Sequence, residues 1–377
     1  MSLEAKILEM ALEEGCSLAG IAPAEPLLAA REHLLKRQKK GPGLPFSGKD
    51  ILARTDPSLL LPEVKSILAL SFDYRTPPPG NKPADTPRGR WSRFARVRDY
   101  HQVVGHKMAR ICARITALKP GAACKAYVDT GPLLDRAIAS RAGLGFFGKN
   151  NCLLNEKLGS FTFLGEILLD FPLEPGSEKT GPDGCHRCRR CLDACPTAAL
   201  TSPYCLDHSR CLSYLSQASE YIHPGLRPYM ADRLYGCDLC QEACPYNQEK
   251  REEIDEDFLP LQDPYPPLLP LLDLSKKDFA ARYQESPIFW RGRSVLQRNA
   301  IIALGNMKAR EAEPRLGRLL LEDPRPTIRG YSAWALGETG GSPGFRFLAR
   351  AVEREKEPYV LQEITDALYR HQKANSL

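Results

Sequence analysis

Cys185-His-Arg-Cys188-Arg-Arg-Cys191-Leu-Asp-Ala-Cys195-Pro196 is the stretch that decides how the middle of this chain folds. A second run, Cys237-Asp-Leu-Cys240-Gln-Glu-Ala-Cys244-Pro245, follows about 40 residues on. A C-x2-C-x2-C loop wraps three thiolates around one 4Fe–4S cubane, and the fourth cysteine, redirected by its proline, points to a second cubane. The two runs therefore exchange ligands. Cys185, Cys188, Cys191 and Cys244 read as the ligands of one cluster, and Cys195, Cys237 and Cys240 as three of the four ligands of the other.

This is the spacing of the bacterial two-cluster ferredoxins. In a simple ferredoxin the missing ligand would lie three residues before Cys237, but Leu234 is there. Cys205 and Cys211 are the candidates, and spacing alone does not separate them. Zinc sites use pairs of cysteines rather than such a run. Nine of the thirteen cysteines fall between 185 and 244, which points to metal rather than to a disulfide framework in a chain of 377 residues. The other four, Cys16, Cys112, Cys124 and Cys152, lie in apolar stretches and read as core residues.

The N-terminal MSLEAKILEMALEEGC alternates charged and apolar residues at helical spacing, unlike a secretory signal. No apolar run approaches the ~20 residues of a membrane span. We therefore expect a cytoplasmic protein without membrane attachment. A net charge of +6 is compatible with a nucleic-acid partner but does not require one.

Around the cysteine segment the pattern changes twice. Residues 17–22, 65–72, 124–128 and 161–169 are short apolar runs that read as strands. Helical patterns lie between them, at Glu4–Glu14 and Tyr100–Leu118. Residues 77–90 read as a loop, 171–184 as a linker, and the prolines clustered between 258 and 271 as a second linker. Beyond it Asn299–Asn306 (NAIIALGN) is echoed by Gly330–Glu338 (GYSAWALGE) and, more weakly, by Ile364–Leu368. A period of about 32 residues resembles a short HEAT-type array. The expected architecture is an α/β N-terminal domain (1–175), a ferredoxin-like two-cluster module (176–256) and C-terminal HEAT-like helical repeats (272–377).

Two clusters form a wire, and a wire fused to a larger domain implies a redox centre there. No G-x-G-x-x-G follows an early strand, which leaves a nicotinamide or flavin Rossmann site unsupported. Asp99-Tyr-His101-Gln-Val-Val-Gly105 nearly matches the D-x-H-x-x-G loop that holds cobalamin through histidine, but its glycine is one position late. Val128–Pro132 (VDTGP) ends a strand at a turn, where Asp129 reads as a general acid or as the N-cap of a following helix. Asp135, six residues on, reads as a surface or helix-packing residue. Gly143, Gly145 and Gly148 with Lys149 and Asn150 form a loop suited to close approach of a large ligand.

These segments together resemble the epoxyqueuosine reductases, cobalamin-dependent enzymes of tRNA queuosine synthesis. The resemblance runs over nearly the whole chain. It rests on Val128–Pro132, Arg141–Asn150 (RAGLGFFGKN), Gly159–Asp170 (GSFTFLGEILLD), the cysteine runs, Pro196–Leu200, Arg210–Tyr214 (RCLSY) and Gly236–Asn247 (GCDLCQEACPYN). It implies Cys211 as the last cluster ligand and base-off cobalamin as the redox cofactor. It places Asp129 over the cobalt as proton donor, with Arg54, Tyr100, Lys149, Asn150 and Ser160 as further cofactor contacts. The carboxyl of Asp129 is expected to be raised by a dry site. The implied substrate is epoxyqueuosine at a tRNA wobble position, and the implied donor is a flavodoxin or ferredoxin type protein. A monomer is expected. Arg291, Arg293, Arg298, Lys308, Arg325 and Arg329 are expected to contact phosphates. Two other readings compete: a cobalamin-dependent reductase of another substrate, such as an organohalide, and an electron-transfer module serving a docked partner.

Overall fold

The four apolar runs of the first part become strands β1 (Leu18–Pro23), β2 (Ser66–Asp73), β3 (Cys124–Tyr127) and β4 (Thr162–Leu169) in a computed structural model. The structure describes residues 1–39, 50–76, 80–176, 184–248 and 255–375. Part of the first expected linker, 177–183, lies outside the described residues. The sheet order is β1-β2-β4-β3. β2 and β4 pair over their whole length, from Ser66↔Leu169 to Asp73↔Thr162. They are the central strands, and both faces are covered, which is why they read as continuous apolar runs rather than alternating ones. Helices and strands are mixed as expected of an α/β domain, but every pairing in this sheet is antiparallel.

Five helices serve this sheet: α1 (Leu3–Glu13), α2 (Leu28–Gln38), α3 (Ile51–Thr55), α4 (Tyr100–Leu118) and α5 (Asp135–Arg141). Ser2 caps α1 by accepting from Ala5 N at 3.2 Å. Asp99 caps α4 by accepting from His101 N at 3.1 Å. Such caps satisfy amides that a helix start leaves open. α5 lies on one face, where Ile138 and Ala139 meet Ile67, Ala69 and Leu168.

The chain forms two compact units that do not follow chain order. The first comprises Met1–Pro77, Arg98–His208 and Leu239–Leu259, and the second Pro78–Val97, Ser209–Asp238 and Pro260–Leu377. In the second unit the proline-rich segment is packed rather than an open tether. Leu261 N donates to Arg96 O (2.7 Å), and Leu268 N donates to Pro87 O (2.9 Å).

The repeat of the second unit consists of α6 (Gly292–Asn306), α7 (Glu313–Glu322), α8 (Pro326–Thr339), α9 (Ser342–Val352) and α10 (Pro358–Asn375). The echoed segments fall on α6, α8 and α10, which stack on one another. Small residues recur there because the helices nearly touch: a Cβ at Gly305 would sit 2.7 Å from the Trp334 ring. Arg298 is a correction to the phosphate-contact expectation. It is 1 % exposed and donates to the carbonyls of Leu215, Ala218 and Glu220. Its neighbour Asn299 donates to Ser216 O (2.6 Å) and Leu234 O (2.8 Å). The repeat thereby grips the segment that carries Cys211 and Cys237.

Arg227 is a second buried cation of this unit. It donates to Glu363 Oε2 at 3.0 Å and lies over the Tyr331 ring at 4.5 Å. Glu363→Ala would leave the guanidinium buried without its counter-charge. The expected cost is about 3–5 kcal/mol, read as a lowered denaturation midpoint. An unchanged midpoint would show that water reaches Arg227.

Candidate active site

Each thiol of the first cysteine run is placed by a short local structure. Cys188 N donates to Cys185 O (2.8 Å), closing a turn whose His186 takes a positive φ of 41°. Cys191 rides on the helical turn Arg190–Asp193. Cys244 precedes the 3-10 turn Pro245–Asn247, where proline redirects the chain. The outcome is one cavity of about 350 Å³, lined by Cys185, Cys188, Cys191 and Cys244 together with Lys149 and Asn150. The cavity is wider than the coordination shell of a single ion. Burial, and then the neighbouring thiols, push the Cys244 thiol up to about 11. Four thiols lining one cavity repel one another when ionised, and a cubane would supply the positive charge that offsets this.

Lys149 and Asn150 sit at the tip of a hairpin, Phe146–Phe147 against Leu153–Leu154. Lys149 Nζ donates to Cys188 O (3.2 Å) and to His186 O. Asn150 Nδ2 donates to Cys240 O (3.5 Å). Ser160 Oγ donates to Gln241 Oε1 (2.8 Å) and accepts from Asn247 Nδ2 (2.9 Å). Gly159, with φ +68°, allows this approach: a Cβ there would lie 2.7 Å from Tyr246 O. The side chains of Lys149, Asn150 and Ser160 thus hold the cysteine loops.

The other cysteines divide between the units. Cys195 and Cys240 belong to the first, Cys211 and Cys237 to the second. Cys211 opens the helix Leu212–Gln217, and Ser216 Oγ of that helix accepts from Gly236 N at 2.9 Å, next to Cys237. Cys205 is exposed, on a two-residue strand of the first unit. Within the second unit, the helix that Cys211 opens is thus bonded to the residue before Cys237. Leu234 is fully buried in the core of that unit.

Asp129 follows β3 in a three-residue turn, with Thr130 N donating to Val128 O and φ of 46° at Asp129. A positive φ on a non-glycine residue is strained, and such residues gather at functional sites. α5 begins only at Asp135, with Leu134 as its N-cap, so Asp129 caps no helix. Its side chain is 58 % exposed. Tyr100 OH donates to its Oδ2, and His101 Nε2 lies 3.4 Å from the same oxygen. Desolvation raises the carboxyl, but the bonds from His101 and Tyr100, with the charges of His101 and Arg136, outweigh it and hold the group below the usual carboxylate range. The raised carboxyl expected from the sequence is not what this geometry gives.

Two other carboxyls are raised. Burial, and then the charge of Asp129, push Asp135 up to about 6. Glu166, 1 % exposed on β4, is pushed well above its ordinary value by burial and by Asp135. Asp135 is thus not a surface or simple packing residue but half of a hydrogen-bonded carboxyl pair. Glu166 was missed in the sequence, although a lone charge inside the apolar run FTFLGEILL was the available signal. Beside this pair stands Arg54 on α3, whose Nε and Nη1 are buried with no hydrogen-bond partner.

Comparison with known proteins accounts for this arrangement. Residues 54–130 match the family model described as epoxyqueuosine reductase QueG, DUF1730. Residues 184–247 match the 4Fe-4S double cluster binding domain, and 292–369 match HEAT repeats. The chain is 37 % identical to the epoxyqueuosine reductase of Bacillus cereus, covering 94 % of this chain and 93 % of that one. It belongs to the epoxyqueuosine reductase family.

The Bacillus subtilis epoxyqueuosine reductase is 36 % identical over 96 % of this chain and 94 % of its own. A crystal structure of an epoxyqueuosine reductase with an epoxyqueuosine-modified tRNA-Tyr stem loop superposes with a TM-score of 0.94 at 35 % identity, covering 98 % of this chain and 99 % of that one. Among the described residues no helix is long and apolar enough to cross a membrane.

Proposed function

We propose that this chain reduces epoxyqueuosine at the wobble position of a tRNA anticodon loop to queuosine. The observation that carries the reading is that one compact unit of an epoxyqueuosine reductase family member holds both a four-cysteine cavity and a carboxylate pinned in a strained, open turn. The reaction breaks two C–O bonds, forms one C=C bond and releases the oxygen as water. It consumes two electrons and two protons.

Cys185, Cys188, Cys191 and Cys244 hold the first cluster. Cys195, Cys211, Cys237 and Cys240 are assigned to the second from their spacing and from the family resemblance. The residues present also suit cobalamin, whose carboxamide arms and phosphate can take the unpartnered Arg54 nitrogens. When bound, the clusters would carry electrons singly and cobalamin would supply the two-electron reduction of the epoxide. Arg54, Tyr100 and Asp129 would hold the cofactor and substrate, while Lys149, Asn150 and Ser160 keep the cysteine loops in place. Asp129 presents a proton to the departing oxygen, and Tyr100 fixes its direction. A flavodoxin or ferredoxin type donor supplies electrons to a monomeric, cytoplasmic enzyme. Nucleoside analysis tests the reading: tRNA incubated anaerobically with the protein, cobalamin and a strong reductant should lose epoxyqueuosine and gain queuosine. Unchanged epoxyqueuosine with both cofactors loaded would overturn it.

The tRNA surface of the second unit is narrower than expected. Arg325 is paired with Asp323 (2.7 Å), and Arg329 with Glu355 (2.6 Å). Arg291 donates to Gln217 O, and Arg293 Nη1 donates to Leu274 O (3.0 Å). Lys308 is exposed. Phosphate contacts by Arg293 and Lys308 would release counterions, so tRNA affinity should fall about 10-fold between about 50 and 200 mM salt. Flat binding over that range would argue against a phosphate-reading surface.

A further inference from the structure

His101 is bonded on both sides. Its Nδ1 lies 2.7 Å from Asp99 Oδ1, and its Nε2 lies 3.4 Å from Asp129 Oδ2. Asp99 is fixed because the same oxygen caps α4. The imidazole is clamped by a run of stacked rings. Tyr100 lies on it at 4.1 Å and on Phe163 at 4.2 Å, and Phe163 stacks on Tyr74 at 4.1 Å. With a carboxylate at each nitrogen the ring has no lone pair to offer a metal. Its place beside the D-x-H-x-x-G pattern therefore does not make it a cobalt ligand.

The reaction proposed above needs two protons for each oxygen released, and Asp129 carries one at a time. Solvent can reach this carboxylate, but a group already bonded to it delivers the second proton without waiting for water. Only Tyr100 and His101 touch it among the contacts described. Burial and the charge of Asp129 push the Tyr100 phenol up, making it a poor source. We propose that His101 is the proton store behind Asp129, passing its Nε2 proton to Oδ2 while Asp99 holds the ring. It is a positioning and relay residue, since Asp129 and not His101 meets the substrate.

The charges support this direction of flow. Burial lowers His101, but its bonds to Asp129 and Asp99 dominate and push it up to about 9. Arg136 on α5 adds a positive charge acting on Asp129, whereas the rings of Phe163 and Tyr74 are neutral. At neutral pH the resting pair is thus imidazolium and carboxylate, and the stored proton is on the histidine.

The inference rests on the proposed reaction, and the two can fail separately. Single turnover by pre-reduced, cobalamin-loaded enzyme should be flat through neutral pH and fall as pH rises through about 9. His101→Gln can still hydrogen-bond to the carboxylates but has no transferable proton. It should lose about 100-fold in rate and lose the alkaline limb, with iron, cobalamin and tRNA binding unchanged. Asp99→Asn keeps a good helix cap and should move the limb to lower pH. In cofactor-free protein the His101 ring should titrate lower in Asp129→Asn than in the parent. A parent chain that leaves epoxyqueuosine untouched sinks the reaction. A His101→Gln enzyme with parental rate and limb, or an Asp99→Asn enzyme with an unmoved limb, sinks the relay.

Discussion

Asp129→Asn turns over at least ~100-fold more slowly than the parent chain, with iron and cobalamin contents unchanged. The substitution isolates the proton from the fold. Asparagine tolerates the positive φ that this turn imposes, so the backbone at 46° adds no new strain. The amide can still accept from Tyr100. What it cannot do is carry an acidic proton to an oxygen that leaves as water. The low resting pKa of Asp129 does not weaken this expectation. A carboxylate beside a charged imidazole is reprotonated when the leaving oxygen draws the proton forward, so the pair acts as one acid. Rates should be measured in single turnover after full reduction, because electron delivery through the clusters could otherwise mask the chemical step. Near-parental turnover would place the acid elsewhere, and the raised Asp135–Glu166 pair would be the next candidate. Loss of cobalamin or of folding would make Asp129 a structural residue.

The parts legible in the sequence are those fixed by local chemistry. α4 has the span that helical periodicity gave it, Tyr100–Leu118, because Asp99 caps it and its apolar positions recur at helical spacing. The strands fell within a residue or two of their expected ends. Their antiparallel direction was hidden, because β2 and β4 are buried on both faces and such strands read alike in either sense. The division into units was hidden for another reason. Residues 209–238 join the helical repeat through Arg298 and Asn299, which bond to carbonyls about 65 to 80 positions away in sequence. No local pattern announces such bonds. The functional turn shows both cases. Asp129 was visible as a carboxylate at a strand end, whereas its protonation depends on His101, 28 residues earlier. The pattern around His101 was noticed and its late glycine already spoke against a cobalt ligand, but only the two flanking carboxylates give the ring another part.

Cys191→Ala should bind about four irons instead of about eight and lose detectable turnover. Cys191 is among the most buried of the four thiols on the cavity, at 9 % exposure, and it rides on the helical turn Arg190–Asp193. Three remaining thiols around an apolar space of about 350 Å³ give no closed shell of sulfur for a cubane. The loss should stay confined to one cluster, because each run supplies only one cysteine to the other site. The same experiment separates the two candidates for the last ligand. Cys211→Ala should also drop to about four irons, since Cys211 opens a helix bonded to the residue before Cys237. Cys205→Ala should keep all eight, because Cys205 is exposed and the family resemblance gives the last ligand to Cys211. Iron assay with electron paramagnetic resonance of the reduced protein reads both outcomes. A Cys205 variant at half iron with a Cys211 variant at full iron would reverse the assignment. The hairpin offers a second check on the first cavity. Lys149 donates to two carbonyls of the cysteine loop, so Cys191→Ala should free that loop and make the segment near Cys188 more susceptible to proteolysis, while Cys211→Ala should leave it protected.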